Sequence, residues 1–289
     1  MSDQQPGVPQ VLEPLVTRVL ADNPSPFTFT GTQTHLVGTG DLAVIDPGLA
    51  DAAHIDALIA AIAGRPVTAI LVTHTHRDHS PGAVPLKAAT GAPIVGCAPL
   101  ALDDLGPRAD ASFDGDYAPD RVLTEGDSVA GDGWTLAAIA TPGHTSNHLA
   151  FALPEAQDGQ GALFSGDHVM GWSTTIVSPP DGDMAAYMAS LAKLQDRHDA
   201  IYYPAHGDPV TNPQRLVRGM IGHRKQREGQ ILRLLAAAPQ TVPQMVARMY
   251  VGIDPRLFPA AERSVLAHLI DLAARGRVNE EGEAWRESM

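Results

Sequence analysis

The segment Thr73-His74-Thr75-His76-Arg77-Asp78-His79 places three imidazoles and one carboxylate within six residues. Ligands crowded on one exposed turn point at a common centre, and zinc prefers nitrogen and oxygen donors of this kind. Three later segments each offer one more donor beside small or turn-forming neighbours: Thr141-Pro142-Gly143-His144, Ser165-Gly166-Asp167 and Pro204-Ala205-His206-Gly207. The small neighbours let the backbone bend and let a metal and a substrate approach. The chain has twelve histidines. His35, His54, His198, His223 and His268 stand apart from these segments and read as core or surface residues.

Each donor segment follows a predicted strand, which is how a rigid sheet collects a preorganised site from distant parts of a chain. Val67–Val72 precedes the histidine cluster, and Leu42–Ile45 ends in Asp46-Pro47-Gly48. Trp134–Ala140, His148–Leu153, Ala162–Phe164, Ala200–Tyr203 and Pro93–Val95 are further strands. Residues 50–63 read as a helix with Ile55, Leu58, Ile59 and Ile62 on one face and Gly64 as its stop. Ala83–Thr90 reads as a short helix. Asp183 caps another that runs to about Asp196. Residues 103–120, with six aspartates, read as a solvated loop or lid. Strands interleaved with helices imply an α/β or layered α+β domain.

The charge changes along the chain. Residues 1–214 hold 8 basic and 25 acidic residues, a net of −17, and residues 215–289 hold 12 and 8, a net of +4. With Thr211-Asn212-Pro213 as a helix start, this divides the chain into residues 1–212 and 213–289. The second part reads as helices from about Pro213 to Ala237, from Thr241 to about Tyr250 and from Pro259 to Ala274. A hairpin follows, with 279–283 as its turn, which is the outline of a winged helix. Over all 289 residues the net charge is −13, which disfavours generic nucleic-acid or anionic-membrane binding. The lone Cys97 excludes an internal disulfide and a cysteine-rich zinc finger. No apolar run reaches membrane-spanning length, so the expectation is a cytoplasmic protein.

The order His74-x-His76-x-Asp78-His79, His144, Asp167, His206, with Asp46 in the leading segment, resembles the metallo-β-lactamase-fold hydrolase superfamily over roughly residues 15–210. The resemblance implies an α+β fold, an αβ/βα sandwich, with two zinc ions per chain in a groove at one edge. It implies that His74, His76 and His144 hold the first zinc, that Asp78, His79 and His206 hold the second, and that Asp167 bridges them. Asp46 then fixes a ligand's orientation from outside the metal sphere, as does His148 if it is not purely structural. The resemblance argues against β-lactam hydrolysis as the main activity, because true zinc β-lactamases lack the bridging aspartate and Cys97 lies outside every motif. It also argues against diiron flavoproteins, which usually carry Glu at the position of His76.

Residues 166–172, Thr174-Thr175 and 178–183, with the winged-helix-like tail, are similar to the β-lactamase-like protein 2 group. That group includes a single-strand-directed endoribonuclease and acyl-carrier-protein thioesterases. The reading is a dinuclear zinc hydrolase in which a metal-bridging hydroxide cleaves an ester, thioester or lactone of a small or carrier-linked substrate. Asp78 or Asp167 carries the proton. A metal-dependent endoribonuclease on single-stranded RNA is the alternative. It needs a basic track, for which the sequence offers Arg77 and the tail. A mononuclear iron persulfide dioxygenase is the second alternative. The apolar tail helices are also compatible with a homodimer.

Overall fold

The computed structural model describes residues 4–100 and 113–288. Seven strands form one sheet whose spatial order follows the chain: β1 (Gln10–Glu13), β2 (Val16–Leu20), β3 (Gln33–Val37), β4 (Leu42–Ile45), β5 (Val67–Val72), β6 (Ile94–Gly96) and β7 (Arg121–Val122). The second sheet contains β8 (Ser128–Gly131), β9 (Trp134–Ala140), β10 (Leu149–Leu153), β11 (Ala162–Gly166) and β12 (Ile201–Pro204), in the order β12-β11-β10-β9-β8. Pairs β4–β5, β5–β6, β6–β7 and β11–β12 are parallel, and the rest of these two sheets is antiparallel.

The period-2 alternation of β10 shows how the layers form. Leu149, Phe151 and Leu153 enter the core shared with the first sheet, together with Trp134, Leu136 and Phe164. Ala150 and Ala152 face the opposite way, into a second core with Tyr187, Leu191 and Leu194 of the helix Met184–Gln195 and Val217 and Met220 of the helix Pro213–Ala237. On the outer face of the first sheet, Ile55, Leu58 and Ile62 of the helix Ala52–Ile62 cover the strands. The result is helix, sheet, sheet, helix, the expected sandwich.

Local signals set the helix ends. Asp51 caps the first helix by accepting from the His54 amide at 2.9 Å, and Asp183 caps Met184–Gln195 by accepting from the Ala186 amide at 2.7 Å. The first helix stops one residue before the expected position, because Ala63 already adopts a left-handed conformation (φ 54°) ahead of Gly64.

The tail has its own core of Ile231, Leu235, Met245, Val265, Leu269 and Trp285. Helices Val242–Met249 and Phe258–Ala274 pack with a three-stranded sheet of β13 (Gln240–Thr241), β14 (Val278–Glu281) and β15 (Ala284–Glu287), in the order β13-β15-β14. Residues 279–281, expected in the hairpin turn, lie instead in β14, and the turn is at Gly282. The long helix Pro213–Ala237 serves both parts. Its first half packs on the second sheet's core, and Ile231 and Leu235 belong to the tail's core.

Strands β1, β2, β3, β7 and β8 carried no sequence signal. In β2 and β3 the reason is buried polarity. Arg18 donates to Gln10 Oε1 at 2.8 Å and to Gln33 Oε1 at 2.9 Å, and Thr34 and His35 are also buried. Mutual hydrogen bonding lets such residues occupy strand interiors that apolar patterning would not flag. Of the expected acidic lid at 103–120, residues 103–112 lie outside the described residues. Among the described residues, no helix is long and apolar enough to cross a membrane.

Candidate metal centre

Five strand ends meet at one edge of the sandwich. β4 delivers Asp46, β5 the histidine segment, β9 His144, β11 Asp167 and β12 His206. The two sheets are tied there by the Leu149 amide donating to Thr73 O at 2.8 Å and the Gln33 amide donating to Ala205 O at 2.8 Å.

All seven expected ligands come together. In one group, His74 Nε2 and His144 Nε2 each lie 3.1 Å from His76 Nδ1. In a second, Asp78 Oδ2 lies 3.3 Å from His79 Nε2 and 3.2 Å from His206 Nε2. Asp167 faces both, with Oδ1 3.3 Å from His206 Nε2 and Oδ2 3.6 Å from His144 Nε2. Within each group the candidate ligand atoms lie within 4.8 Å of one another.

Partners on the far side of each ring decide which nitrogen faces inward. His79 Nδ1 donates to Asp46 Oδ2 at 3.0 Å, His144 Nδ1 to Ile176 O at 2.7 Å and His206 Nδ1 to Gly31 O at 3.2 Å. Thr73 Oγ1 donates to Asp46 Oδ2 at 2.8 Å, so it accepts from His74 Nδ1 at 3.0 Å. Four rings therefore turn Nε2 toward the centre. His76 presents Nδ1 instead, and its Nε2 lies 4.0 Å from Asp181 Oδ2.

Lone pairs 3.1 Å apart repel unless a cation lies between them. Tetrahedral zinc with nitrogen ligands at 2.0–2.1 Å sets ligand atoms roughly 3.3 Å apart, so the spacing fits. Among the described residues, His79 Nε2 and Asp167 Oδ1 are buried with no hydrogen-bond partner, as metal-directed atoms would be. The residues present fit a metal site.

The electrostatics of the two groups differ. Burial and the neighbouring His144 push His76 down to about 3, and burial with His79 and His76 pushes His74 well below its ordinary value. These rings are neutral donors. Burial also opposes charge on His79 and His206, yet carboxylates overcome it. Asp78, Asp167 and Asp46 raise His79 well above its ordinary value, and Asp167 and Asp78 raise His206 to about 10. Burial would raise Asp78 and Asp167, but His79 and His206 hold both well below the usual carboxylate range. In the second group the Asp78 and Asp167 carboxylates thus favour a positive charge beside them.

The two expected residues outside the ligand set also touch it. Asp46 accepts from the Thr73 amide at 2.8 Å as well as from Thr73 Oγ1 and His79. His148 Nε2 accepts from the Asp167 amide at 3.1 Å while its Nδ1 meets Thr141 Oγ1 at 2.8 Å. Gly166 explains the Ser-Gly-Asp spacing. It sits at φ 51°, and a Cβ there would lie 2.6 Å from His148 Nε2.

Sequence reasoning gave no role to Asp181, Thr73 or the carbonyls of Ile176 and Gly31. Asp181 is buried and accepts from the Ser146 amide at 3.3 Å. An acid between Pro180 and Gly182 was its only visible signal.

A cavity of about 300 Å³ opens over these groups and is lined by His76, Arg77, Asp78, His144, Asp167 and His206, with Phe27, Met170 and Ile176 among its other walls.

Comparison with known proteins agrees with this geometry. Residues 28–206 match the metallo-beta-lactamase superfamily, and residues 241–285 match the beta-lactamase-associated winged helix domain. A beta-lactamase-like protein 2 homolog of Caenorhabditis elegans is 36% identical over 233 residues, covering 78% of this chain and 72% of that protein. An atrochrysone carboxyl ACP thioesterase of Aspergillus fumigatus is 34% identical over 236 residues, covering 78% and 67%. The solved structure of a beta-lactamase domain protein from Burkholderia ambifaria superposes with a TM-score of 0.80 at 22% identity, over 99% of this chain and 96% of that one, and so shares the fold.

Proposed function

The chain belongs to the metallo-beta-lactamase superfamily, and within it we propose a dinuclear zinc hydrolase that cleaves an ester, thioester or lactone of a small or carrier-linked substrate. The observation that carries this reading is the two-sided placement of Asp167, with one oxygen toward each group of ligands. A mononuclear centre has no use for the second face or for His206. The thioesterase relative supports a carrier-linked substrate. We take residues 1–212 as the catalytic part and 213–289 as the appended winged-helix part.

His74, His76 and His144 would hold one zinc and Asp78, His79 and His206 the other, with Asp167 between them. Zinc at these positions supplies Lewis acidity and lowers the pKa of coordinated water toward neutrality. The chain's own groups do the rest. The far-side acceptors of His74, His79, His144 and His206 fix the orientation of those rings, so their ligand atoms need little reorganisation. The cavity walls Phe27, Met170 and Ile176 offer an apolar surface beside the ligand groups for the acyl chain. Hydrolysis adds one water across the acyl bond: oxygen joins the acyl carbon, and the leaving thiol or alcohol departs with a proton. Asp78 or Asp167 would carry the proton while remaining a ligand.

The test is hydrolysis of an acyl thioester and of a labelled single-stranded RNA by zinc-loaded protein, with Asp167→Ala as the control and metal content measured alongside. Thioester turnover lost in the variant, with RNA intact and about two zincs per chain, is the expected result. RNA cleavage lost in the variant would make the protein an endoribonuclease, and one iron per chain would favour the persulfide dioxygenase reading.

A further inference from the structure

A second cavity, of about 400 Å³, lies between the catalytic part and the tail. It shares Ser25, Phe27, Met170 and Ile176 with the cavity over the metal ligands, so the two are immediate neighbours. Its walls mix serine and threonine residues with an apolar and aromatic face of Trp172, Tyr250, Ile253 and Leu257, where Trp172 stacks on Phe29 at 4.9 Å between centroids and 11° between planes.

The charged residues lining it all belong to the long helix: Arg224 and Arg227, accompanied by His223. Among the described residues no carboxylate lines it, in a chain whose net charge is −13. Arg224 is only 3% exposed, and among the described residues no acid pairs with it. It bonds instead to Thr175 O and Ser264 Oγ and lies over the Tyr187 ring. A buried guanidinium without a counter-ion is costly unless an anion is meant to approach.

Arg227 is held as if for that purpose. Its Nε donates to His223 Nε2 at 3.3 Å, and its Nη1 donates to Gln230 Oε1 and Met249 O, both at 3.0 Å. The guanidinium lies over the Tyr250 ring, 4.3 Å from its centroid. Nη2 donates to none of the described residues. Four contacts thus fix the planar group and leave one end of its fork unused, a preorganised donor for an oxyanion.

Building on the hydrolase reading above, we propose that this second chamber receives the far end of the acyl group, an apolar or aromatic segment bearing a carboxylate. The substrate is then a half-thioester or half-ester of a dicarboxylic acid. Hydrolysis consumes one water and releases the diacid and the thiol or alcohol. A reaction that makes an acyl chain with a free acid at one end and an activated acyl at the other must supply such a substrate.

Calorimetric titration of 2-naphthoate and 2-naphthamide tests the chamber without turnover. The protein would be zinc-loaded wild type, Arg227→Gln and His76→Ala. Wild type should prefer the acid by about tenfold. The preference should persist in His76→Ala and fall to within threefold in Arg227→Gln. If Arg227→Gln fails to fold by circular dichroism, Arg227→Lys decides, because it keeps the charge but loses the fork, and should lose at least threefold of the preference. Equal affinities in wild type, no binding, or a preference lost in His76→Ala but kept in Arg227→Gln would overturn the proposal. In parallel, kcat/KM for an aromatic half-thioester should exceed that of its amide analogue, with the gap narrowed in Arg227→Gln. If neither thioester is turned over while the acid preference stands, the hydrolase reading fails and the anion-binding chamber survives.

Discussion

Asp46 Oδ2 lies 3.0 Å from His79 Nδ1, on the side of that ring opposite the Asp78 and Asp167 carboxylates. Asp46 reaches it from the end of β4 in a left-handed conformation, φ 50°, that few residues other than glycine adopt. Its backbone is pinned by Thr34 Oγ1, which donates to Asp46 O at 2.7 Å. The strained turn, the carboxylate and the orientation of His79 form one device.

Asp46→Asn tests that device. Asp46 Oδ2 accepts from both Thr73 Oγ1 and His79 Nδ1, while Oδ1 accepts from the Thr73 amide. An amide oxygen kept on the Thr73 amide turns NH2 toward two donors. His79 then shifts its proton to Nε2 and loses the inward lone pair. Zinc affinity should fall roughly 10- to 100-fold with the fold retained, as measured by competition with a chromophoric chelator. Unchanged affinity would show that His79 is oriented by other contacts.

Asp167→Ala and His76→Ala should each abolish turnover without unfolding the chain. The first removes the carboxylate that faces both groups, and the second removes the nitrogen 3.1 Å from both His74 and His144. Metal analysis and circular dichroism accompany the rate measurement. Near wild-type rates in either variant, with metal content verified, would sink the dinuclear reading.

Gly143→Ala should damage the site from its backbone. Gly143 has φ 139°, and a Cβ there would lie 2.3 Å from Tyr187 Cα and 2.5 Å from its amide nitrogen. Backbone atoms of a packed helix have little room to yield, so either that helix or the His144 turn must move. The cost should be about 3 kcal/mol, with zinc bound less tightly. Thermal unfolding and metal content read both effects, and a wild-type melting temperature would reject the steric account.

The ligand residues were legible because metal chemistry restricts residue type, and because each follows a strand of apolar residues that patterning detects. Helix ends were legible where Asp183 and Pro213 mark them. Strands β2 and β3 were not, since Arg18, Gln33 and His35 break the alternation and are reconciled only by three-dimensional pairing. Asp181 and the carbonyls of Gly31 and Ile176 were hidden for a different reason. Their part depends on which ring nitrogen they face, and no residue type announces that. Arg224 looked like one more cation on a basic helix until its burial removed solvent as its partner.

His268 should make the fold acid-sensitive. It is buried, and neither ring nitrogen has a hydrogen-bond partner among the described residues. Burial, with the positive charges of Arg224, Arg275 and Arg227 and the neighbouring His223, pushes it down to about 3. The unfolded chain binds a proton near pH 6.5 that the folded chain refuses until about pH 3, so stability is full above 6.5 and drains away as pH falls between those values. At pH 5 the loss should be about 2 kcal/mol relative to pH 8. His268→Leu places an apolar group of similar size where no hydrogen bond is made, so it should be near neutral at pH 8 and should remove most of that loss at pH 5. Urea unfolding of both proteins at the two pH values gives the difference directly, with contributions common to both cancelling. An equal acid loss in His268→Leu and wild type would mean that His35, which burial and Arg18 also hold near 3, or other groups carry the acid sensitivity instead.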